Sequence, residues 1–353
     1  MSARTPQADR SLAGTLIDIA PGLALSAAVA AAAYLAAPYV GRILPIPAMV
    51  LALVIGIALN PIASQPAVRP GMAFCVRTLL RWAVALLGAR VALSDIAALG
   101  LATAVMIMVA MIVTLVSGFF FARMSGRQPG FGALVGAATA ICGASATLAT
   151  STVVPDYPGK QADIAFVVVT VNALATLAMV VYPPLCILLG FDAQTTGVML
   201  GGTIHDVAQV VGAGYGVSEP AGNTAVIVKL FRVFLLLPFV LGIGWYFTRI
   251  GVKHGEARVP VPVPVFALVF LALCLLNSAL SLLPSLTFAF GPAKAVLIEA
   301  STWGLLIAIA ALGLDTSATI IIALGWRHVA TVVASTAVIF VMVTGCLLLV
   351  KLV

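Results

Sequence analysis

Apolar residues fill this chain in runs long enough to cross a bilayer, one after another, with little between them. Pro21–Val40, Pro47–Asn60, Gly71–Leu93, Leu101–Phe121, Gly130–Val154, Ile164–Tyr182, Thr195–Gly212, Ala221–Phe247, Val263–Leu280, Ala293–Leu314 and Val329–Val350 make about eleven spans. A hydrocarbon core of about 30 Å is crossed by about 20 apolar residues in a helix. Lipid offers the backbone no hydrogen-bond partner, so such runs must satisfy their N–H and C=O groups internally, as helices do. The predicted fold is an all-α polytopic membrane protein with about 10–11 transmembrane helices.

Composition narrows the function. The chain is 63% hydrophobic and 8% charged, whereas a soluble domain has about 25% charged residues. The net charge of +7 would suggest nucleic acid as a partner of a soluble protein. Here the basic residues mostly close apolar segments, where they orient the chain in the bilayer and leave no role for nucleic acid. Residues 1–20 read as a cytoplasmic N-terminal tail and residues 21–353 as a single transmembrane transporter domain. A cytoplasmic N-terminus places Arg4, Arg10, Arg69, Arg123, Arg127, Arg249, Lys253, Arg258 and Arg327 inside, against Arg42, Lys160, Lys294 and Lys351 opposite. The polar start precedes an apolar run too long for a signal-peptide core. The five cysteines form no CxxC pair and all lie in apolar surroundings, so neither a disulfide framework nor a zinc site is expected. No Walker loop, HExxH or nucleophile–base set occurs, and no catalytic residue is assigned.

Internal duplication is one reading of two Leu-Gly steps. Leu86-Leu87-Gly88, Ser94-Asp95 and Ala98-Leu99-Gly100 are echoed, at equal spacing, by Ala311-Leu312-Gly313, Asp315-Thr316 and Ala323-Leu324-Gly325. The alternative is chance in a Leu- and Gly-rich chain. Inverted repeats, with a site at their interface, are a common transporter plan.

Polar groups stranded inside these spans mark candidate sites, since a charge at mid-membrane costs about 3 kcal/mol. Three segments carry them. Thr139 to Thr147 contains Cys142, Gly143, Ala144 and Ser145 near the middle of a span. Small residues there permit an unwound turn, and the half-helix after a break offers free N–H groups and a positive dipole end to an anion. Close helix packing through small residues is the other reading. Gly201 to Val210 contains His205, Asp206 and Gln209. His205 titrates near neutrality and Asp206 takes a proton or a cation, as in proton relays and coupling-ion sites. An interfacial loop, with both residues in water, is the alternative. Val228 to Val233 places Lys229 and Arg232 three apart on one helical face. They suit an anion, an acidic partner such as Asp206, or a hydrated cavity. Lys229 lies about 12 Å into its run, so snorkelling to an interface also remains open. Arg77 and Arg81 share a face and read as interface markers, and Glu299 ranks below Asp206 as a buried acid.

Ile-Cys-Gly-Ala-Ser-Ala at 141–146, Ile-His-Asp-Val-Ala-Gln-Val at 204–210 and Val-Lys-Leu-Phe-Arg-Val at 228–233 resemble three signature blocks of the sulfate exporter family of YeiH-type bacterial inner-membrane proteins. Leu-Leu-Gly-Ala-Arg-Val at 86–91 resembles it as well, and the likeness spans Pro21 to the C-terminus. That family is grouped in the cation–proton antiporter and anion transporter superfamily. The resemblance implies panel and core domains, inverted repeats and broken crossing helices, as in sodium–proton antiporters and bile-acid symporters. Asp206 stands where many members carry Glu.

The function expected is a secondary active transporter in a bacterial inner membrane, exporting a small inorganic oxyanion, sulfate or sulfite-like, by alternating access. Lys229 and Arg232 would balance its charge, and Cys142, Gly143, Ala144, Ser145, His205 and Gln209 would contact it. Asp206 or His205 would bind a coupling proton or sodium ion. No other cofactor and no metal is expected, and a homodimer is left open. A cation–proton antiporter is the alternative, with a non-transporting scaffold or sensor third.

Overall fold

The computed structural model describes residues 12–40, 48–63, 65–249, 265–281, 284–315 and 326–352. Its helices in chain order are α1 (Leu12–Val40), α2 (Ala48–Ala58), α3 (Asn60–Ala63), α4 (Arg69–Phe74), α5 (Leu80–Leu86), α6 (Leu93–Ala98), α7 (Gly100–Met124), α8 (Pro129–Ala140) and α9 (Ala144–Ser151). They continue with α10 (Lys160–Leu188), α11 (Ala193–Thr203), α12 (Val207–Val217), α13 (Glu219–Phe234), α14 (Leu236–Arg249), α15 (Val265–Ser281), α16 (Pro284–Asp315) and α17 (Trp326–Leu352). No strand occurs among the described residues. Seven stretches are long and apolar enough to cross a membrane, and four shorter apolar helices join them. The protein is an all-α polytopic membrane protein. On α7, Leu101, Val105, Val109, Ile112, Val116 and Phe120 form one exposed stripe; a face that apolar is stable against lipid and not against water.

Helix α1 starts at Leu12 and runs through Pro21, so the helix takes in part of the segment expected as a tail. Leu12, Leu16, Ile17 and Ile19 are apolar enough to extend it, and a membrane helix tolerates an internal proline. The rest of that tail, the segment carrying Lys253 and Arg258, and the second Leu-Gly copy beyond Asp315 lie outside the described residues.

The chain divides into two compact units, one drawn from Met1–Ala83 and Thr302–Ser317, the other from Val84–Ser301 and Ala318–Val353. The first is packed through small residues. A Cβ on Gly22 of α1 would fall 2.0 Å from the Val68 carbonyl oxygen, and one on Gly71 of α4 would fall 2.2 Å from that of Ile19. Backbone contact this close needs glycine on both sides. Its core gathers Val29, Ala33, Ala52, Met72, Leu306 and Ala310.

The second unit carries the three polar segments. Helices α7 and α8 touch backbone to backbone, a Cβ on Gly118 falling 2.5 Å from Gly136 Cα. Helices α11 and α13 pack as closely, at Gly201 against the Ala225 carbonyl. Phe131, Leu134, Val135, Val167 and Val171 fill the core between α8 and α10. At the start of α10, Arg127 pairs with Asp163 and Lys160 with Asp156. The Lys160 ammonium holds the exposed Asp156 carboxyl below the usual carboxylate range. Burial, with Asp163 nearby, pushes the Tyr157 phenol up.

Candidate functional site

Two spans that read as continuous in hydropathy are each broken in the middle. Helix α8 stops at Ala140 and α9 starts at Ala144. Gly143 between them has φ +63° and ψ −122°, a backbone open in practice only to glycine. Helix α11 stops at Thr203, and Ile204 and Asp206 are extended before α12 starts. The breaks meet: a Cβ on Gly143 would lie 3.7 Å from the His205 carbonyl oxygen and 3.9 Å from Asp206 Cβ.

A broken helix leaves C=O groups at one new end and N–H groups at the other, and each set needs a partner. The carbonyl ends are closed by α13. Arg232, wholly buried, donates from Nη2 to Thr139 O (2.9 Å) and Ala140 O (3.0 Å), and from Nε to Ala140 O (3.1 Å). Its Nη1 donates to Gly201 O (3.0 Å), Gly202 O (2.9 Å) and Ile204 O (3.2 Å). Lys229, also wholly buried, donates to Ile141 O (2.8 Å), Ile204 O (2.9 Å) and His205 O. The remaining terminal carbonyls of α8, on Ala137 and Ala138, take the N–H groups of Ile141 and Gly143. Two positive charges thus sit at two negative dipole ends. Neither side chain snorkels. The planar fork of Arg232 suits a spread of five carbonyls that the compact ammonium of a lysine could not cover.

His205 is buried at 1% exposure, which removes the interfacial-loop alternative. Its Nδ1 lies 3.1 Å from Thr139 O and its Nε2 2.9 Å from Thr336 Oγ1 on α17. A carbonyl only accepts, so Nδ1 carries a hydrogen. Ser335, beside Thr336, joins Thr139 (2.9 Å) to Ser117 of α7 (3.1 Å).

The N–H ends are arranged differently. Asp206 caps α12, its Oδ1 accepting from Val207 N (2.8 Å). The first N–H groups of α9 have no acceptor within their own helix. Ser145 is exposed, and Ala144, Asp206 and Val207 are half-exposed, so this side of the breaks is open. Gln209, wholly buried in the first turn of α12, donates from Nε2 to Asn172 Oδ1 (3.2 Å) and Thr176 Oγ1 (3.4 Å) of α10. Thr176 gives its own hydroxyl hydrogen to Asn172 O (3.0 Å), which fixes the Gln209 nitrogen on that side. Gln209 Oε1 is left buried with no partner among the described residues. Cys142 is buried at the break, 3% exposed.

The structure therefore gathers Cys142, Gly143, Ala144, Ser145, His205, Asp206, Gln209, Lys229 and Arg232 at one place. Within it, Lys229 and Arg232 serve the carbonyl ends, while Ser145, Asp206 and Gln209 belong to the N–H ends. Asn172, Thr176 and Thr336 escaped the sequence reading. Asn172 had one available signal, as the single amide in the run Ile164–Tyr182. Arg77, Arg81 and Glu299 are exposed.

The family described as Conserved hypothetical protein 698 matches residues 21–348. A UPF0324 membrane protein TauZ of Paracoccus pantotrophus is 41% identical over 334 residues, covering 94% of this chain and 96% of that protein. A UPF0324 membrane protein of Rhizobium meliloti is 40% identical over 97% of this chain and 96% of its own length. The UPF0324 inner membrane protein YeiH of Salmonella typhimurium is 35% identical over 86% of each chain. No solved structure matches the chain.

Proposed function

We propose that this chain, which belongs to the Conserved hypothetical protein 698 family of multi-pass membrane proteins, is a secondary transporter of a small inorganic oxyanion such as sulfate or sulfite. One observation carries the reading: two half-helix N-termini, α9 and α12, open side by side, while the opposite ends of both breaks are closed by buried cations. Helix N-termini hold anions through N–H groups and a positive dipole end. With the carbonyl ends neutralised by Lys229 and Arg232, the net field at the opening favours negative charge. Ser145, exposed at the start of α9, adds a hydroxyl donor. In this proposal Lys229 and Arg232 supply the charge balance without touching the oxyanion. The Salmonella relative is described as an inner membrane protein, which supports the same location here, with the N-terminus in the cytoplasm by the positive-inside rule.

Purified protein in proteoliposomes loaded with radiolabelled sulfate or sulfite tests this. Saturable efflux above empty vesicles, competed by unlabelled oxyanion, is expected. A second reading, cation–proton antiport, draws on the Asp206 carboxylate and the orphaned Gln209 Oε1, both oxygens that suit a cation. Sodium- or potassium-driven quenching of a pH dye, without oxyanion flux, would replace the first reading by the second.

A further inference from the structure

The N–H side of the breaks already holds an anion, and it is part of the chain. Asp206 stands at the N-cap of α12 with its carboxylate on the Val207 N–H. Its Cβ also faces Gly143, the residue that opens α9. A carboxylate there offers α12 and α9 the negative charge that an oxyanion would bring. Two anions at one pair of helix ends repel each other, and like charges a few ångströms apart do not both remain ionised.

A separate feature of the same turn points to a proton. Gln209 is three residues beyond the N-cap, the position whose side chain reaches back to the cap residue in a capping box. Helical side chains lean toward the N-terminus, which brings Gln209 to the break. Its nitrogen is committed to Asn172 and Thr176, and Oε1 is a buried acceptor with no donor. A buried acceptor left without a donor costs about 1–3 kcal/mol. An ionised carboxylate cannot fill that need, because it only accepts; a carboxyl O–H can. Asn172 is exposed about 18 Å along α10, counted from Lys160. An amide exposed so far into a membrane helix is better matched to a hydrated cavity than to lipid, which would give water and protons a route to this level of the unit.

We propose that Asp206 is a tethered anion occupying the substrate's place, and that an oxyanion binds only together with one proton that neutralises it. The proposal rests on the oxyanion reading above and adds the coupling to it. The proton comes from water in the cavity and sits on the Asp206 carboxyl, which turns its O–H toward Gln209 Oε1 and frees the N–H groups of α12 and α9. No bond to the oxyanion is made or broken. Among the described residues, the titratable and charged groups around Asp206 include Cys142 at the other break, His205 on its own connection, and Lys229 and Arg232 from α13. At this level α10 presents Val171, Asn172 and Thr176, none of which titrates. Lys229 and Arg232 stay on their carbonyls in both states. A dianion moving with one proton carries one net negative charge, so an inside-negative potential drives it outward.

The test uses purified full-length protein in weakly buffered detergent with a pH dye, and sodium sulfate as the probe. Sulfate stays dianionic from pH 5 to 8, so any proton taken up goes to the protein. About one proton per sulfate bound is expected, with affinity tightening about tenfold per pH unit on acidification while Asp206 is ionised in the free protein. Asp206→Asn removes the charge and keeps a good N-cap. It should bind sulfate with no proton uptake and no dependence on pH, whereas Asp206→Glu should keep both. Sulfate binding by the unaltered protein without proton uptake overturns this proposal and leaves the oxyanion reading standing. Wild-type pH dependence persisting in Asp206→Asn does the same. If the unaltered protein binds no sulfate or sulfite at any pH, the oxyanion reading itself falls, and this inference with it.

Discussion

The two sides of the paired breaks solve one problem in opposite ways. On the carbonyl side, Arg232 and Lys229 are wholly buried and every polar hydrogen that they direct there ends on a backbone oxygen. On the N–H side, the surroundings are half open, one carboxylate caps one helix, and one buried amide oxygen is orphaned. Satisfied, desolvated groups hold a fold in one arrangement. Unsatisfied groups beside an opening are what a ligand can complete. The cations are the conspicuous charges, yet their geometry is that of structural caps, and the free capacity lies across the break.

This contrast can be broken at four positions. The largest effect is expected at Arg232. Its removal orphans carbonyls on Ala140, Gly201 and Gly202, with Thr139 left to His205 and Ile204 to Lys229. At about 1–3 kcal/mol each, the loss rivals a whole domain's stability of about 5–15 kcal/mol. Arg232→Ala should lose its monodisperse peak in detergent size-exclusion chromatography. Lys229→Met should do less harm, since Arg232 still reaches Ile204, and appear as a lowered unfolding midpoint. Wild-type stability in Arg232→Ala, with weakened sulfate binding instead, would reverse the roles assigned to the two sides.

Gly143 comes next, because both sides depend on its turn. Any other residue at φ +63° and ψ −122° is strained, by about 1–3 kcal/mol, and an added methyl would meet Val171 Cγ1 at 3.3 Å. Gly143→Ala should lower the unfolding midpoint by several degrees and reduce flux. A variant with unchanged midpoint and flux would show that the break does not need this backbone.

The smallest effect on stability is expected at Ser145, exposed at the start of α9. Surface changes of this kind stay within about 0.5 kcal/mol. Loss of one hydrogen bond to the oxyanion, about 0.5–1.5 kcal/mol, should weaken sulfate binding about two- to tenfold by isothermal calorimetry. Unaltered affinity would remove α9 from the site and leave α12 alone.

Much of the fold could be read from hydropathy, because lipid permits few alternatives. The runs Leu101–Phe121 and Ile164–Tyr182 lie inside α7 and α10. The break after Ala140 was also legible, since Gly, Ser and Thr inside an apolar span announce it. The direction of Lys229 and Arg232 was not. Spacing shows that they share a face, but which carbonyls meet that face depends on how α13 packs against α8 and α11, a tertiary fact. Asn172 was missed for a related reason. A lone amide in an apolar run has no local pattern, and only the approach of Gln209 from another helix gives it meaning. The choice between a buried position and snorkelling to an interface thus depended on partners remote in sequence.

One guanidinium closes the ends of two different half-helices. Pulling those helices apart would strip oxygens bare in a medium that cannot solvate them. Arg232 is in effect a rivet, and the pieces it joins must travel as one body. If the chain transports as proposed, whatever rocks, slides or tilts must carry the knot of α8, α11 and α13 along intact, with its hinge outside it.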